Sequence, residues 1–365
     1  MGLTDGLTLA LFSITAVGLT LFAVIYWGKI YRRTFLNLLL RLLIILLCQA
    51  LALVSIGLEV NRSNGFYESW NDLFGTSSNY SQSSTTAGSK ALITGKELRK
   101  ADKLPLQSRL VRDVITGSQS QVSNVVYLDL PKSAVDDINA KTALDPKRYR
   151  VIEFLTGFPS QPLMWVKVLK IDHDLALYNQ QHVGREIIGI FPEVNLAGHY
   201  DLECMNLPGT RPPAETWLST DMHSYLATRL GMPDSRWGIM GVSTGGWCAA
   251  MLSVRHPDLY SAAASIAGYY RPALPLTDPI ALQNEMIKKY DFDKAEAALT
   301  QIQKLYITAS LGDVYSIRET KKFLAKKHPN LAITYKELPS GGHNARVWIS
   351  LIPGALDWLQ RNISV

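Results

Sequence analysis

The strongest constraint on this chain lies at its start. From Leu7 to Trp27 run 21 residues without a charge, long enough as a helix to cross the hydrocarbon core of a bilayer. A second apolar run begins at Phe35 and reaches Leu58. Arg41 interrupts it one or two turns from its start, where a long side chain can carry its charge back to the headgroups. A cleaved signal peptide would open with basic residues and hold a shorter apolar stretch before a small-residue cleavage site. Here the start carries Asp5 and no Lys or Arg. Residues 1–58 are therefore expected to form two retained transmembrane helices, rather than a buried hairpin of a soluble protein, whose helices would show polar faces. Lys29, Arg32 and Arg33 crowd the short connection between them. The positive-inside rule puts that connection in the cytoplasm, so everything after Leu58 is expected outside it, in a multi-pass protein of the cell membrane.

The 365 residues leave room for one large globular domain beyond these helices. The net charge of +6 comes from dispersed residues. No Lys/Arg stripe with interleaved aromatics appears, so no nucleic-acid partner is expected. A basic outer domain suits anionic lipid or a cell-wall polymer. Three cysteines, with Cys48 inside an apolar run, exclude a disulfide scaffold. Cys204 and Cys248 either pair in an oxidising compartment or leave Cys248 as a buried free thiol.

Residues 59–103 combine an aromatic, polar stretch suited to the membrane interface with the Ser/Thr-rich "TSSNYSQSSTTAGSK", read as a flexible linker. The globular domain is expected over 104–365. "RLVRDVI" and "VSNVVYLDLP" alternate apolar and polar residues around a turn, as an antiparallel hairpin does. "YRVIEFLTG", "REIIGIFPEV", "RWGIMGVS", "YSAAASIAG", "KLYITASLGD" and "LAITYKELPSGG" follow as strands, most of them separated by helical patterns such as "TWLSTDMHSYLATRLG". That alternation predicts an α/β fold with a mostly parallel sheet covered on both faces. Working residues in such sheets lie beyond the carboxyl ends of strands.

Ser243 occupies such an end, in Gly241-Val242-Ser243-Thr244-Gly245. A strand turning sharply into a helix strains the serine backbone, lifts its hydroxyl above the sheet, and needs glycines where chain segments approach closely. The pentapeptide alone is a weak signal. The apolar run before it and the amphipathic helix after it supply the required context. A nucleophilic serine needs a base and an acid to orient that base. His343, in "SGGHNARVW" after the last strand, stands where the base belongs in the Ser–acid–His chain order. His173, His182, His199, His223, His256 and His328 read as polar surface. Asp313 ends the strand "LYITASLGD" and is the expected acid; its structural alternative is a helix N-cap. Its rival Glu319 lies in "SIRETKKFLAKK", read as a solvated helical face. The backbone N–H groups of Thr244 and Phe158 are the expected oxyanion-hole donors.

These residues resemble the putative esterase family that contains esterase D and the actinobacterial mycoloyltransferases. The resemblance spans roughly residues 105–362 and rests on "GVSTGGW", "ETWLSTDMHSYL" and "SGGHNARVW", with "FPEVNLAGHYDLEC" similar to the family's variable loop. It implies an α/β-hydrolase fold and serine acyl chemistry, with Ser243 as nucleophile and His343 as base. The mycoloyltransferases use a glutamate as the acid; Asp313 matches the aspartate of the esterase D branch.

The expected function is that of a membrane-anchored, extracytoplasmic serine esterase or acyltransferase. Its substrate would be an ester or glycolipid, its acyl group passed to water or to a sugar or lipid hydroxyl. A mycoloyltransferase-like envelope acyltransferase and a non-catalytic hydrolase-like binding domain are the alternatives. Residues 269–303 form either a lid or acyl pocket, or a surface helical pair. No cofactor is expected, since no Gly-rich phosphate loop with a lysine appears. No metal is expected either: "DHD" at Asp172–Asp174 lacks a matching set of ligands, and such clusters are usually solvated.

Overall fold

A computed structural model describes residues 5–28, 35–64, 70, 96–100, 106–198 and 200–364. The chain forms two compact units, Met1–Asn79 and Tyr80–Val365.

The first unit consists of α1 (Gly6–Tyr26) and α2 (Phe35–Asn64). Both are long and apolar enough to cross a membrane, and they leave leucines such as Leu38, Leu42 and Leu53 exposed. Arg41 turns its guanidinium to Trp27, donating to the carbonyl at 3.2 Å and lying 4.8 Å from the ring centroid. The basic cluster Lys29, Arg32 and Arg33, and the Ser/Thr-rich stretch, lie outside the described residues.

The second unit begins with β1 (Lys96–Arg99), β2 (Ser108–Thr116) and β3 (Ser123–Pro131), followed by α3 (Lys132–Asn139) and β4 (Tyr149–Leu155). Next come α4 (Met164–Lys167), α5 (Ile171–Gln181) and β5 (Glu186–Pro192). A helix then runs from α6 (Ala214–Thr216) through a π-helical stretch (Trp217–Met222) into α7 (His223–Arg229). β6 (Trp237–Val242), α8 (Thr244–Arg255), β7 (Tyr260–Ile266), α9 (Ile280–Lys289) and α10 (Phe292–Ala297) precede β8 (Gln303–Ser310). The chain closes with α11 (Val314–Leu324), β9 (Leu331–Leu338) and α12 (Ala345–Asn362).

The nine strands form one sheet in the order β1-β2-β3-β5-β4-β6-β7-β8-β9. β2 and β3 make the expected antiparallel hairpin, β3 meets β5 antiparallel, and every pair from β5 to β9 is parallel. Parallel strands covered on both faces must be apolar on both faces. β6 shows how: Trp237 and Ile239 join the core on one side, Met240 and Val242 the core on the other. The order and the helix placement are those of the α/β-hydrolase fold.

Strand β1 lies within residues 59–103, N-terminal to the expected start of the domain. Its "KELR" has no apolar pattern. Arg99 holds it in place, donating to Asp129 at 2.8 Å, Asp172 at 2.7 Å and the Ser108 hydroxyl at 2.7 Å. Asp172 of the "DHD" cluster is therefore a buried ion-pair partner, not a solvated group.

Candidate active site

β6 ends at Val242, and Ser243 takes φ 57° and ψ −124° before α8 begins. A non-glycine residue in this region is strained and needs its surroundings to hold it. They do so through contacts that admit no side chain. A Cβ on Gly241 would stand 1.9 Å from the carbonyl oxygen of Gly245, and one on Gly245 would stand 2.2 Å from that of Leu155. Ser243 N–H donates to the Ile266 carbonyl at 2.9 Å, tying the bend to the end of β7. The hydroxyl stands at the mouth of the sheet's carboxyl edge.

His343 and Asp313 arrive from the next two strand ends. Asp313 follows β8 and caps α11: its Oδ1 accepts the Ser316 N–H at 3.2 Å. Its Oδ2 lies 2.5 Å from Nδ1 of His343, and Nε2 of that ring lies 2.8 Å from Ser243 Oγ. An ionised carboxylate only accepts, so Nδ1 carries the hydrogen and Nε2 is free to accept from the serine. The two loops are pinned together. Ser310 Oγ donates to the Gly341 carbonyl at 2.5 Å, and a Cβ on Gly312 would meet that same oxygen at 2.5 Å. Asp313 is 4% exposed, while the His343 side chain is 39% exposed and lies edge-on to Trp348. The imidazole thus has one buried, anchored nitrogen and one facing the cleft.

The chain after β4 closes the other side. A Cβ on Gly157 would stand 2.9 Å from Ser243 Cβ, so Phe158 and its N–H follow directly on the segment pressed against the serine. Thr244 opens α8 at the other flank.

The remaining sequence candidates lie elsewhere. Glu319 is not solvated; it is 4% exposed and draws Arg318 and Lys322, each at 2.9 Å, with Arg271 at 3.6 Å. Arg318 and Lys322 of that helix thus surround a buried carboxylate together with Arg271. His223 and His328 are likewise not surface groups. His223 is buried against the Trp237 ring, and burial lowers its basicity to a pKa of about 4. His328 is buried 2.5 Å from Glu296. His256 lies 3.0 Å from Glu215; His173 and His182 are exposed, and His199 lies outside the described residues. Asp293, Glu296 and His328 bring ligand-type atoms within 4.8 Å of one another. Their atoms are already engaged, Asp293 by Lys326 at 2.5 Å and Glu296 by the Asn330 N–H at 3.2 Å.

Sequence reading left one group open and passed over another. Cys204 and Cys248 form a disulfide with Cα atoms 5.7 Å apart, fastening the loop after β5 to α8. The same loop brings Asp201 to Thr244, with 3.1 Å between Oδ2 and Oγ1. The only sequence signal was two acidic residues beside a cysteine in "YDLEC". Residues 269–303 contain α9 and α10. A cavity of about 460 Å³ opens there, lined by Leu274, Leu276, Ile287, Tyr315, Arg271 and Arg318 among others.

Comparison with known proteins agrees with this architecture. A family model described as "Putative esterase" matches residues 147–359, more than half the chain. The MPT51 antigen of Mycobacterium leprae is 34% identical over 59 residues, which cover 16% of this chain and 20% of that one. An uncharacterized protein of Corynebacterium glutamicum is 21% identical over 229 residues, covering 58% of this chain and 52% of that one. The matched part is thus about half of the corynebacterial protein and a fifth of MPT51. Among solved structures, a ferulic acid esterase superposes with a TM-score of 0.58 at 19% identity, covering 72% of this chain and all (100%) of that one. An S-formylglutathione hydrolase from Agrobacterium tumefaciens superposes with a TM-score of 0.57 at 11% identity, covering 74% and 100%. At these identities the likeness is one of fold. The family match is what assigns the chain, which belongs to the putative esterase family of α/β-hydrolases.

Proposed function

We propose that this chain is a membrane-anchored serine esterase acting outside the cytoplasm. The observation that carries the reading is the unbroken line from Asp313 through His343 to a strained Ser243. Ser243 Oγ attacks the ester carbonyl while Nε2 of His343 takes its proton, and Asp313 stabilises the imidazolium that forms. The carbonyl oxygen becomes an oxyanion held by the N–H groups of Thr244 and Phe158. Collapse of this intermediate breaks the ester bond, and the alcohol leaves with the proton from His343. Water then attacks the acyl-enzyme with His343 as base, releasing the acid and restoring the serine.

Two features support the extracytoplasmic placement: the basic connection between the helices and the Cys204–Cys248 disulfide, a bond of oxidising compartments. A second reading has a sugar or lipid hydroxyl accept the acyl group in place of water. The largely apolar cavity beside α11, whose cap is Asp313, favours it, since sheltering an acyl chain excludes water from the intermediate.

The test is a fluorophosphonate applied to the full chain in detergent, with the adduct located by peptide mass spectrometry. Labelling at Ser243 that is lost in Ser243→Ala and collapses in His343→Ala is the expected result. A folded chain that takes no label is a binding domain instead. Product analysis with and without an alcohol acceptor separates hydrolysis from transfer.

A further inference from the structure

Beside the nucleophile turn stand two carboxyl groups that the mechanism above does not use. Asp201 Oδ2 lies 3.1 Å from Thr244 Oγ1, and Glu203 Oε1 lies 2.8 Å from the Tyr269 hydroxyl. That same hydroxyl lies 3.4 Å from Thr244 Oγ1. The other two carboxyl oxygens accept backbone donors. Asp201 Oδ1 takes the Glu203 N–H at 2.8 Å, and Glu203 Oε2 takes the Ala273 N–H at 2.7 Å.

The result is a line of four groups, Glu203–Tyr269–Thr244–Asp201, joined by three oxygen–oxygen contacts. Each contact needs one hydrogen, and a hydroxyl supplies one. Tyr269 and Thr244 provide two, so the third sits on a carboxyl. Glu203 is the one that bears it: the residue is 2% exposed, and burying a charge without a cation costs more than burying an acid. Glu203 then donates to Tyr269, Tyr269 to Thr244, and Thr244 to Asp201.

We infer that Glu203 is protonated in the working protein, and that its proton makes Asp201, Glu203 and Tyr269 a positioning relay for Thr244, one of the two oxyanion donors. The inference rests on the esterase reading above. Burial, and then the neighbouring Asp201 charge, push the Glu203 carboxyl well above the ordinary glutamate range; burial pushes Asp201 up less. The nearby cations are engaged elsewhere, Arg271 by Glu319 at 3.6 Å and Arg211 by Asp278 at 3.7 Å. Tyr200 bonds to Asp278, and Tyr315 packs edge-on against Tyr269. Among the described residues, the groups bonded to the Glu203 carboxyl are neutral, the Tyr269 hydroxyl and the Ala273 N–H.

Loss of the proton turns Tyr269 from Thr244 to Glu203 and places a second negative charge beside a site that must stabilise an oxyanion. The readout is the rate of fluorophosphonate labelling of the full chain from about pH 6 to about pH 10. The wild-type rate falls about tenfold on the alkaline side. Glu203→Gln removes that fall, because its amide donates to Tyr269 at every pH and its oxygen still accepts from Ala273. An alkaline fall of the same size in Glu203→Gln overturns the inference.

A thermal readout separates this from failure of the esterase reading. The folded chain keeps a proton that a free glutamate releases, so wild type loses stability relative to Glu203→Gln as the pH rises above the ordinary glutamate range. A difference that does not change with pH overturns the proton even if Ser243 labels. Absence of labelling with a pH-dependent difference sinks the esterase reading and leaves the proton standing. Should Glu203→Gln fail to fold, Glu203→Met removes the same titrating carboxyl, and survival of the alkaline fall in it is equally fatal.

Discussion

The Asp313 carboxylate serves two partners at once: Oδ1 caps the first turn of α11 through Ser316, and Oδ2 holds Nδ1 of His343. The helix-cap and triad-acid readings of this residue are therefore compatible, and one constrains the other. An oxygen fixed by the helix leaves its neighbour a single direction, along which the imidazole is held. Asp313→Asn keeps an oxygen for the cap but offers the ring an amide, favouring the wrong tautomer. The expected outcome is a fall in kcat of about 10⁴ on a p-nitrophenyl ester, with a melting temperature close to that of wild type.

The bend at Ser243 makes a second test, through glycines whose costs differ. Gly241→Ala drives a methyl into the Gly245 carbonyl at 1.9 Å. Backbone cannot yield there without moving the whole turn, so this variant is expected to accumulate as misfolded chain. Gly157→Ala brings a methyl to 2.9 Å from Ser243 Cβ, a contact that a small loop shift relieves. It should fold while losing about 10² or more in kcat, because the shift misplaces the Phe158 N–H. Circular dichroism beside kinetics separates the two outcomes.

Acid stability should depend on Glu215, far from the chemistry. Burial raises its carboxyl, but bonds from His256 at 3.0 Å, Arg255 at 2.7 Å and Tyr290 at 2.7 Å outweigh burial and hold it at about 2. A carboxyl depressed in the folded state adds stability above its unfolded pKa and loses it as the pH falls toward the folded one. Glu215→Gln is expected to cost about 3 kcal/mol near neutrality. That cost should shrink between about pH 4.5 and about pH 2, as chemical denaturation at several pH values will show.

Reduction of Cys204–Cys248 opens a loop closed by a sequence separation of 44. Loop-closure entropy puts its contribution at about 4 kcal/mol. Thiol titration of the denatured chain should find one group, Cys48, before reduction and three after it, and the reduced chain should melt at a distinctly lower temperature.

The membrane reading has its own test. A membrane-impermeant amine reagent applied to intact cells should modify lysines of the hydrolase unit, such as Lys336, and spare Lys29 until the cells are opened. The reverse pattern would put the hydrolase unit in the cytoplasm.

Much of this was legible in the order of residues. The hairpin of β2 and β3 and the six strands from β4 to β9 each announce themselves as apolar or alternating runs, because burial on a sheet face is a period-two, local demand. The turn at Ser243 is local too: glycines at 241 and 245 are needed within a few residues of the bend they permit. β1 gave no such signal. Three charged residues and one leucine become a strand only because Arg99 finds Asp129 and Asp172 across the fold.

The sequence by itself thus determined the elements, their alternation, the bend that lifts Ser243 and the apolar helices ahead of them, all of which depend on neighbours along the chain. Tertiary structure alone decided the rest. It brought His343 to a serine 100 positions away, buried Glu319 among cations and closed the disulfide. It also lined up Glu203, Tyr269, Thr244 and Asp201. Hydrogen bonds and ion pairs of this kind act over about 3 Å in space and without regard to distance along the chain. A residue's neighbours in sequence can therefore nominate a partner, as the strand ends before Asp313 and His343 do, but do not fix the contact.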